Sequence, residues 1–169
     1  MGYSVIKCTG KQTTVLTAAI VNLSKLENQY LKLKKIYESV SEIIELYHPD
    51  ELAIEAPFFG KNVQSMLKLG RAQGVCIAAA LHFQLPVFEY APRKIKQSIT
   101  GNGNASKEQV ALMLQTLLKF AEMPKFMDAT DALAIALCHY YQSSGGIQVS
   151  SKSASSWGAF LKNNPERLK

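Results

Sequence analysis

Three cysteines, one tryptophan and a charged fraction of only 19% are what this 169-residue chain has least of. Cys8, Cys76 and Cys138 are odd in number, widely spaced and set among apolar residues. They exclude a disulfide framework and a closely spaced thiolate metal site, and are expected to be buried free thiols in a reducing compartment. No apolar run reaches membrane length. Met1 leads directly into Gly2-Tyr3-Ser4-Val5-Ile6 without a secretory leader, so the chain reads as soluble and cytoplasmic. Scarce charge together with 47% apolar residues argues against general disorder and for one compact domain. The charge that is present leans basic, with a net of +6 and a pI near 9.2. That surplus permits a polyanionic partner without requiring one.

Alternating residues from Gly2 to Cys8, a turn at Thr9-Gly10-Lys11-Gln12 and a β-branched stretch over Thr14 to Leu23 predict a hairpin. Leu33, Ile36, Val40, Ile43 and Tyr47 recur at helical spacing and form one face of a long helix. Leu52-Ala53-Ile54 is a short apolar run suited to a buried strand, ending at Glu55 before Ala56-Pro57. A second long helix is expected from about Asn62 to Leu81. Its Gly70, Gly74 and Ala78 form a small-residue stripe that admits a close neighbour, either the chain's own sheet or a second subunit.

Pro86 to Tyr90 reads as a strand and Lys94 to Ile99 as a short basic helix. The polar stretch Thr100 to Ala105 is expected to be flexible and leads to Ser106, which with Gln109 forms a capping-box pattern. A helix follows through Val110 and Leu118, and a final one runs from Asp128 to Tyr141. Residues 1–142 thus form an α/β domain with a mixed sheet flanked by helices. The serine-rich, terminally basic stretch 143–169 reads as a linker and flexible tail.

Asp128 and Asp131 lie three apart at the head of a helix, so their carboxylates share a face. Acidic residues in a first turn complement the helix dipole, which is their bland explanation. The helix they head is almost wholly apolar, however, which places them beside the sheet. Glu55, at a strand end where α/β sheets build sites, could meet them there. Three converging carboxylates repel one another unless cations neutralise them, and magnesium is the hard ion that suits oxygen ligands. Two such ions about 4 Å apart activate water and stabilise the leaving oxygen of a phosphodiester.

Phe58 and Phe59 with Lys61 follow Glu55, and adjacent aromatics can stack on unpaired bases or simply pack. Arg93, Lys94, Lys96 and Lys107 flank the glycine-asparagine loop, whose amides suit phosphate contacts. An ordinary surface loop with solvated lysines explains the same residues.

Four segments, taken together, resemble the RuvC family of Holliday-junction resolvases. They are Ala53-Ile54-Glu55-Ala56-Pro57-Phe58-Phe59, the run Gly60-Lys61-Asn62 with Leu67 to Gly74, Glu89-Tyr90-Ala91-Pro92, and Asp128-Ala129-Thr130-Asp131-Ala132-Leu133-Ala134. The resemblance runs from Gly2 to about Tyr141. It implies a ribonuclease-H-like fold and a homodimer that binds a four-way DNA junction and nicks it symmetrically with two magnesium ions per subunit. It further implies that Glu55, Asp128 and Asp131 are metal ligands and catalytic residues. Phe58 would act at the opened junction and Lys107 would face DNA phosphate, while Lys61, Arg93, Lys94 and Lys96 are expected on the DNA from their place in the sequence. The Gly70–Gly74 helix would lie in the dimer interface, and a branch-migration motor complex would be the partner.

One departure accompanies the resemblance. Family members open with a strand ending in Gly-Ile-Asp-Pro-Gly, whose aspartate is a fourth acidic ligand, whereas Met1-Gly2-Tyr3-Ser4-Val5-Ile6 matches their second strand. A wrongly placed or truncated N-terminus is the expected reason. The corresponding alternative is a junction-binding protein that does not cut. Loss of a central strand is expected to expose backbone groups and apolar faces.

Overall fold

The computed structural model describes residues 1–10, 12–57, 62–120, 124 and 126–143. Strands β1 (Gly2–Thr9) and β2 (Gln12–Ile20) form the expected hairpin, with a register shift between Val5 and Ile6. Helix α1 (Gln29–Tyr47) starts where the Asn28 side chain accepts the Tyr30 N–H at 2.7 Å and ends at a left-handed His48. It buries Ile36 and Val40, two of the recurring apolar positions, and Ile44 in place of the expected Ile43. Strand β3 (Leu52–Glu55) leads to α2 (Val63–His82), capped by Asn62, and then to β4 (Val87–Tyr90). Helices α3 (Pro92–Thr100), α4 (Lys107–Leu118) and α5 (Met127–Ser143) complete the fold.

Pro92 opens α3 at a position whose N–H has no helical partner in any case. The capping box of α4 forms as the sequence suggests. Ser106 Oγ accepts the Gln109 N–H at 3.2 Å, and Gln109 Oε1 accepts the Ser106 N–H at 2.9 Å. The apolar run on α5 does bury the helix, with Leu133, Leu137 and Cys138 nearly or wholly out of solvent.

The mixed sheet is present in two separate parts. Among the described residues β1 pairs only with β2, antiparallel, and β3 only with β4, in parallel. Two hydrophobic clusters correspond to the two parts. One joins α3, α4 and α5 to the inner face of the hairpin through Ile6, Val15 and Ala18. The other joins α1 and α2 to Leu52, Ile54 and Val87.

Helix α5 underlies both parts and fixes their relative direction. The start of β1 lies at the head of α5, where a Cβ on Gly2 would stand 1.9 Å from the Asp128 carbonyl oxygen. The turn after β1 lies at its other end, where the Tyr140 hydroxyl donates to the Gly10 carbonyl. Strand β3 runs the opposite way, since Glu51, just before it, meets His139 and Glu55, at its end, faces Asp131.

Two expectations are corrected. Cys8 is exposed, because it lies near the tip of the hairpin beyond the reach of the core, whereas Cys76 and Cys138 are buried as expected. The Thr100 to Ala105 stretch is tied down by its own polar side chains. Gly101 takes a left-handed φ of 75°, Asn102 Oδ1 accepts the Asn104 N–H at 2.9 Å, and Thr100 Oγ1 accepts the Asn102 N–H at 3.1 Å. Residues 144–169, expected to form the tail, lie outside the described residues, as do Phe58 and Lys61.

Candidate active site

Asp131, Glu55 and Lys107 meet at the end of β3, the head of α5 and the head of α4. The Lys107 ammonium donates to Asp131 Oδ2 at 2.8 Å. That bond, reinforced by the charge of Asp131, raises the Lys107 pKa above its ordinary value. Burial pushes the Glu55 carboxyl up, and the neighbouring Asp131 charge pushes it further, while Lys107 and Lys96 pull it down. Both other carboxylates also act on Lys107, so the three acids and the one lysine share a single electrostatic neighbourhood.

Asp128 is held differently. Its Oδ2 lies 3.6 Å from the Met1 ammonium and its side chain is largely exposed. Of the three acidic side chains, Asp131 is the one paired with a side-chain ammonium, that of Lys107. No three His, Cys, Asp or Glu side chains among the described residues stand together closely enough to hold a metal ion. The donor chemistry nevertheless suits a hard cation, since all three are carboxylates and repulsion between two of them favours a neutralising charge.

The basic residues expected on DNA divide into three groups. Lys107 and Lys96 belong to the carboxylate cluster. The Arg93 stem packs over the glycine-asparagine loop, where a Cβ on Gly103 would stand 2.6 Å from Arg93 Cγ. Lys94 is exposed on α3, and Lys61 falls outside the described residues. Gly70 and Gly74 on α2 have nothing within 4 Å of a built Cβ. Their stripe therefore does not serve the close approach to the chain's own sheet that small residues permit.

A second polar network escaped the sequence reading. Tyr90 Oη and His139 Nδ1 share a 2.7 Å hydrogen bond, and His139 Nε2 meets Glu51 Oε2 at 2.6 Å. The imidazole is buried beside the Phe88 and Tyr90 rings and ties α5 to β4 and to the start of β3. Only the single histidine on an otherwise apolar helix hinted at it. Its partners lie 49 and 88 residues away.

A sequence model of the family described as "Crossover junction endodeoxyribonuclease RuvC" matches residues 1–139. The protein of that name from Bacteroides fragilis is 60% identical, covering all of this chain and 90% of its own length. The Cytophaga hutchinsonii protein of the same name is 59% identical, covering all of this chain and 82% of its own. Among solved structures, Thermus thermophilus RuvC in complex with Holliday junction substrate is similar with a TM-score of 0.79 and 33% identity. That match covers 84% of this chain and 87% of the other. With the acidic cluster placed on the strand end and helix head that the motifs indicated, and with relatives this similar along the whole chain, the protein belongs to the RuvC family of crossover junction endodeoxyribonucleases.

Proposed function

We propose that this chain acts as a junction-resolving endonuclease that makes symmetric nicks in four-way DNA, with Glu55, Asp128 and Asp131 as metal ligands. The observation that carries the reading is the shared electrostatic neighbourhood of Glu55, Asp131 and Lys107 in a member of this family. The family is one of metal-dependent nucleases, and two magnesium ions are the proposed complement. When bound they supply the Lewis acidity that activates water and offsets charge on the phosphodiester. Lys107 holds Asp131 in place and presents a cation where a phosphate oxygen would arrive. Lys96 adds positive charge on the same side. Phe58 and Lys61 follow Glu55 in sequence and act at the opened junction, while Arg93 and Lys94 contact the DNA backbone. Residues 1–142 form the nuclease domain and 143–169 a tail.

The exposed Gly70–Gly74 stripe, flanked by exposed Leu67 and Leu81, supports α2 as the homodimer interface. A branch-migration motor complex is the proposed partner and the cytoplasm the proposed location. Among the described residues no helix is long and apolar enough to cross a membrane.

A second reading, junction binding without cleavage, is favoured by the Lys107 ammonium that already pairs with Asp131. Incubation with a four-way junction and magnesium separates the two. Symmetric nicks establish the nuclease, and a shifted band without nicks establishes the binder. In a chain that cuts, Glu55→Gln is expected to abolish nicking and retain junction binding. Retained nicking would remove Glu55 from the site.

A further inference from the structure

Helix α5 carries Asp128 and Asp131 at its head and His139 eight residues beyond Asp131. Asp131, Ile135 and His139 recur every four residues, so they lie one above another on the side toward β3. Strand β3 runs against this stripe, with Glu51 beside His139 and Glu55 facing Asp131. The helix rises about 12 Å from Asp131 to His139. The extended chain from Glu51 to Glu55 spans about 13 Å. The two lengths match, so a clasp between Glu51 and His139 brings Glu55 level with Asp131.

That clasp is complete. His139 Nε2 meets Glu51 Oε2 at 2.6 Å, and Nδ1 meets the Tyr90 hydroxyl at 2.7 Å. A carboxylate only accepts, so Nε2 carries the proton, and in the neutral ring Nδ1 accepts from Tyr90. Tyr90 is itself the register partner of Glu55 in the β3–β4 pair, and its carbonyl accepts the Ala56 N–H at 2.9 Å. From α2, Gln73 Nε2 donates to the Glu55 carbonyl at 2.6 Å. The end of β3 is therefore held from two sides, and the axial position of α5 is what remains to be set.

Apolar packing sets it poorly. On its β3 side the helix shows Ala132, Ile135 and Ala136, and burial of such groups has no direction. An apolar ring in place of His139 would fill the same space against Phe88, whose ring centroid stands 4.7 Å from the imidazole. A fully satisfied polar network, by contrast, specifies a single arrangement.

We propose that Glu51, His139 and Tyr90 are positioning residues that set the register of α5 on β3, and with it the separation of Glu55 from Asp128 and Asp131. A slip of one residue along the helix is about 1.5 Å. Metal–ligand distances are held within about 0.2 Å, so a slip of that size disperses a metal site. The register belongs to the metal-free fold, whereas its consequence for metal rests on the proposed nuclease function.

Three variants of the full chain test the clasp. Glu51→Gln keeps the arm length and an accepting oxygen, and Glu51→Asp shortens the arm by one methylene. His139→Phe keeps a ring and removes both hydrogen bonds. Nuclear Overhauser contacts between the end of β3 and the head of α5 read the register in the metal-free protein. They are expected to persist in Glu51→Gln and to weaken or shift along the helix in Glu51→Asp and His139→Phe. Glu51 is partly exposed, so its two variants carry the test if His139→Phe does not fold. Leu85→Ala, a core truncation away from the clasp, is the control for stability.

Unchanged contacts in Glu51→Asp would overturn the proposal. Contacts that weaken in Leu85→Ala as much as in Glu51→Asp would overturn it too, leaving a general stabilising role. Magnesium titration followed by the Glu55 and Asp131 amide shifts reads the consequence. Binding on the order of tenfold weaker is expected in Glu51→Asp and His139→Phe, with near-parental affinity in Glu51→Gln and Leu85→Ala. Equal affinity in all four variants would overturn the proposal. A parent chain that binds no magnesium would instead remove the proposed metal site, and the metal-free contacts would still decide the register.

Discussion

The two halves of the molecule are built with different completeness. On the hairpin side Leu114, Leu133, Leu137 and Cys138 are fully or almost fully buried, and together they fill the space between α3, α4, α5 and the strands. On the β3–β4 side only Ala79 and Ala80 reach zero exposure, and the larger side chains Ile36, Val40, Ile44 and Leu85 each keep a few per cent. A well-packed interior leaves large side chains no solvent. The second half is thus held by helix-on-helix packing of α1 and α2 over β3 and β4.

The sharpest way to break this comparison is to truncate one leucine in each core. Leu133→Ala and Leu85→Ala should both fall within about 2–5 kcal/mol by denaturant unfolding. Leu133 belongs near the upper end, because its surroundings are closed and cannot collapse into the gap, and Leu85 near the lower end. Equal losses would mean that the two cores are equally tight.

Gly2→Val probes the seam between hairpin and helix. Its Cβ would stand 1.9 Å from the Asp128 carbonyl oxygen, against rigid backbone. The expected cost is about 1–3 kcal/mol, with faster amide exchange in the first turn of α5. An unchanged midpoint would mean that β1 does not rest on α5 at this point.

Ser106→Ala removes one arm of a reciprocal cap and should cost about 1 kcal/mol, read as faster exchange in the first turn of α4. The smallest effect on stability belongs to Lys107→Ala. Its pair with Asp131 is half exposed, so about 0.2–1 kcal/mol is at stake.

The pH dependence of that pair has a definite sign. The Lys107 pKa is raised above its ordinary 10.5, so its stabilising contribution is fully present below 10.5 and lost as pH rises through the raised value. Glu55 is also raised, from 4.5, but here folding favours the neutral acid. Its contribution is present below 4.5 and lost as pH climbs through the raised value. Lys107→Ala removes one of the two charges that hold Glu55 down, so carboxyl titration followed by NMR should show Glu55 shifting higher still. A Glu55 that titrates unchanged would place the lysine outside its field.

Much of this molecule was legible in one dimension. The helical spacing of Ile36 and Val40, the Ser106–Gln109 cap and the apolar run of α5 each describe a local pattern, and local patterns survive into the fold because neighbours in sequence remain neighbours in space. The three carboxylates were legible for a related reason, since each sits at the end of such an element. Their electrostatic partners were less so. That Lys107 turns to Asp131 follows from how α4 packs on α5, 24 residues apart in sequence. The buried histidine between Tyr90 and Glu51 depends on three elements meeting, and the exposure of Cys8 depends on where the core stops.

The sequence by itself determined the order of strands and helices, the family, and which side chains carry negative charge at strand and helix ends. Only the tertiary structure decided that the described strands stand as two pairs, that the Lys107 ammonium faces Asp131, and that His139 lies between Tyr90 and Glu51. The physical reason is that strand pairing joins residues far apart in sequence. An edge is satisfied or exposed according to what lies beside it in space, which no local pattern records.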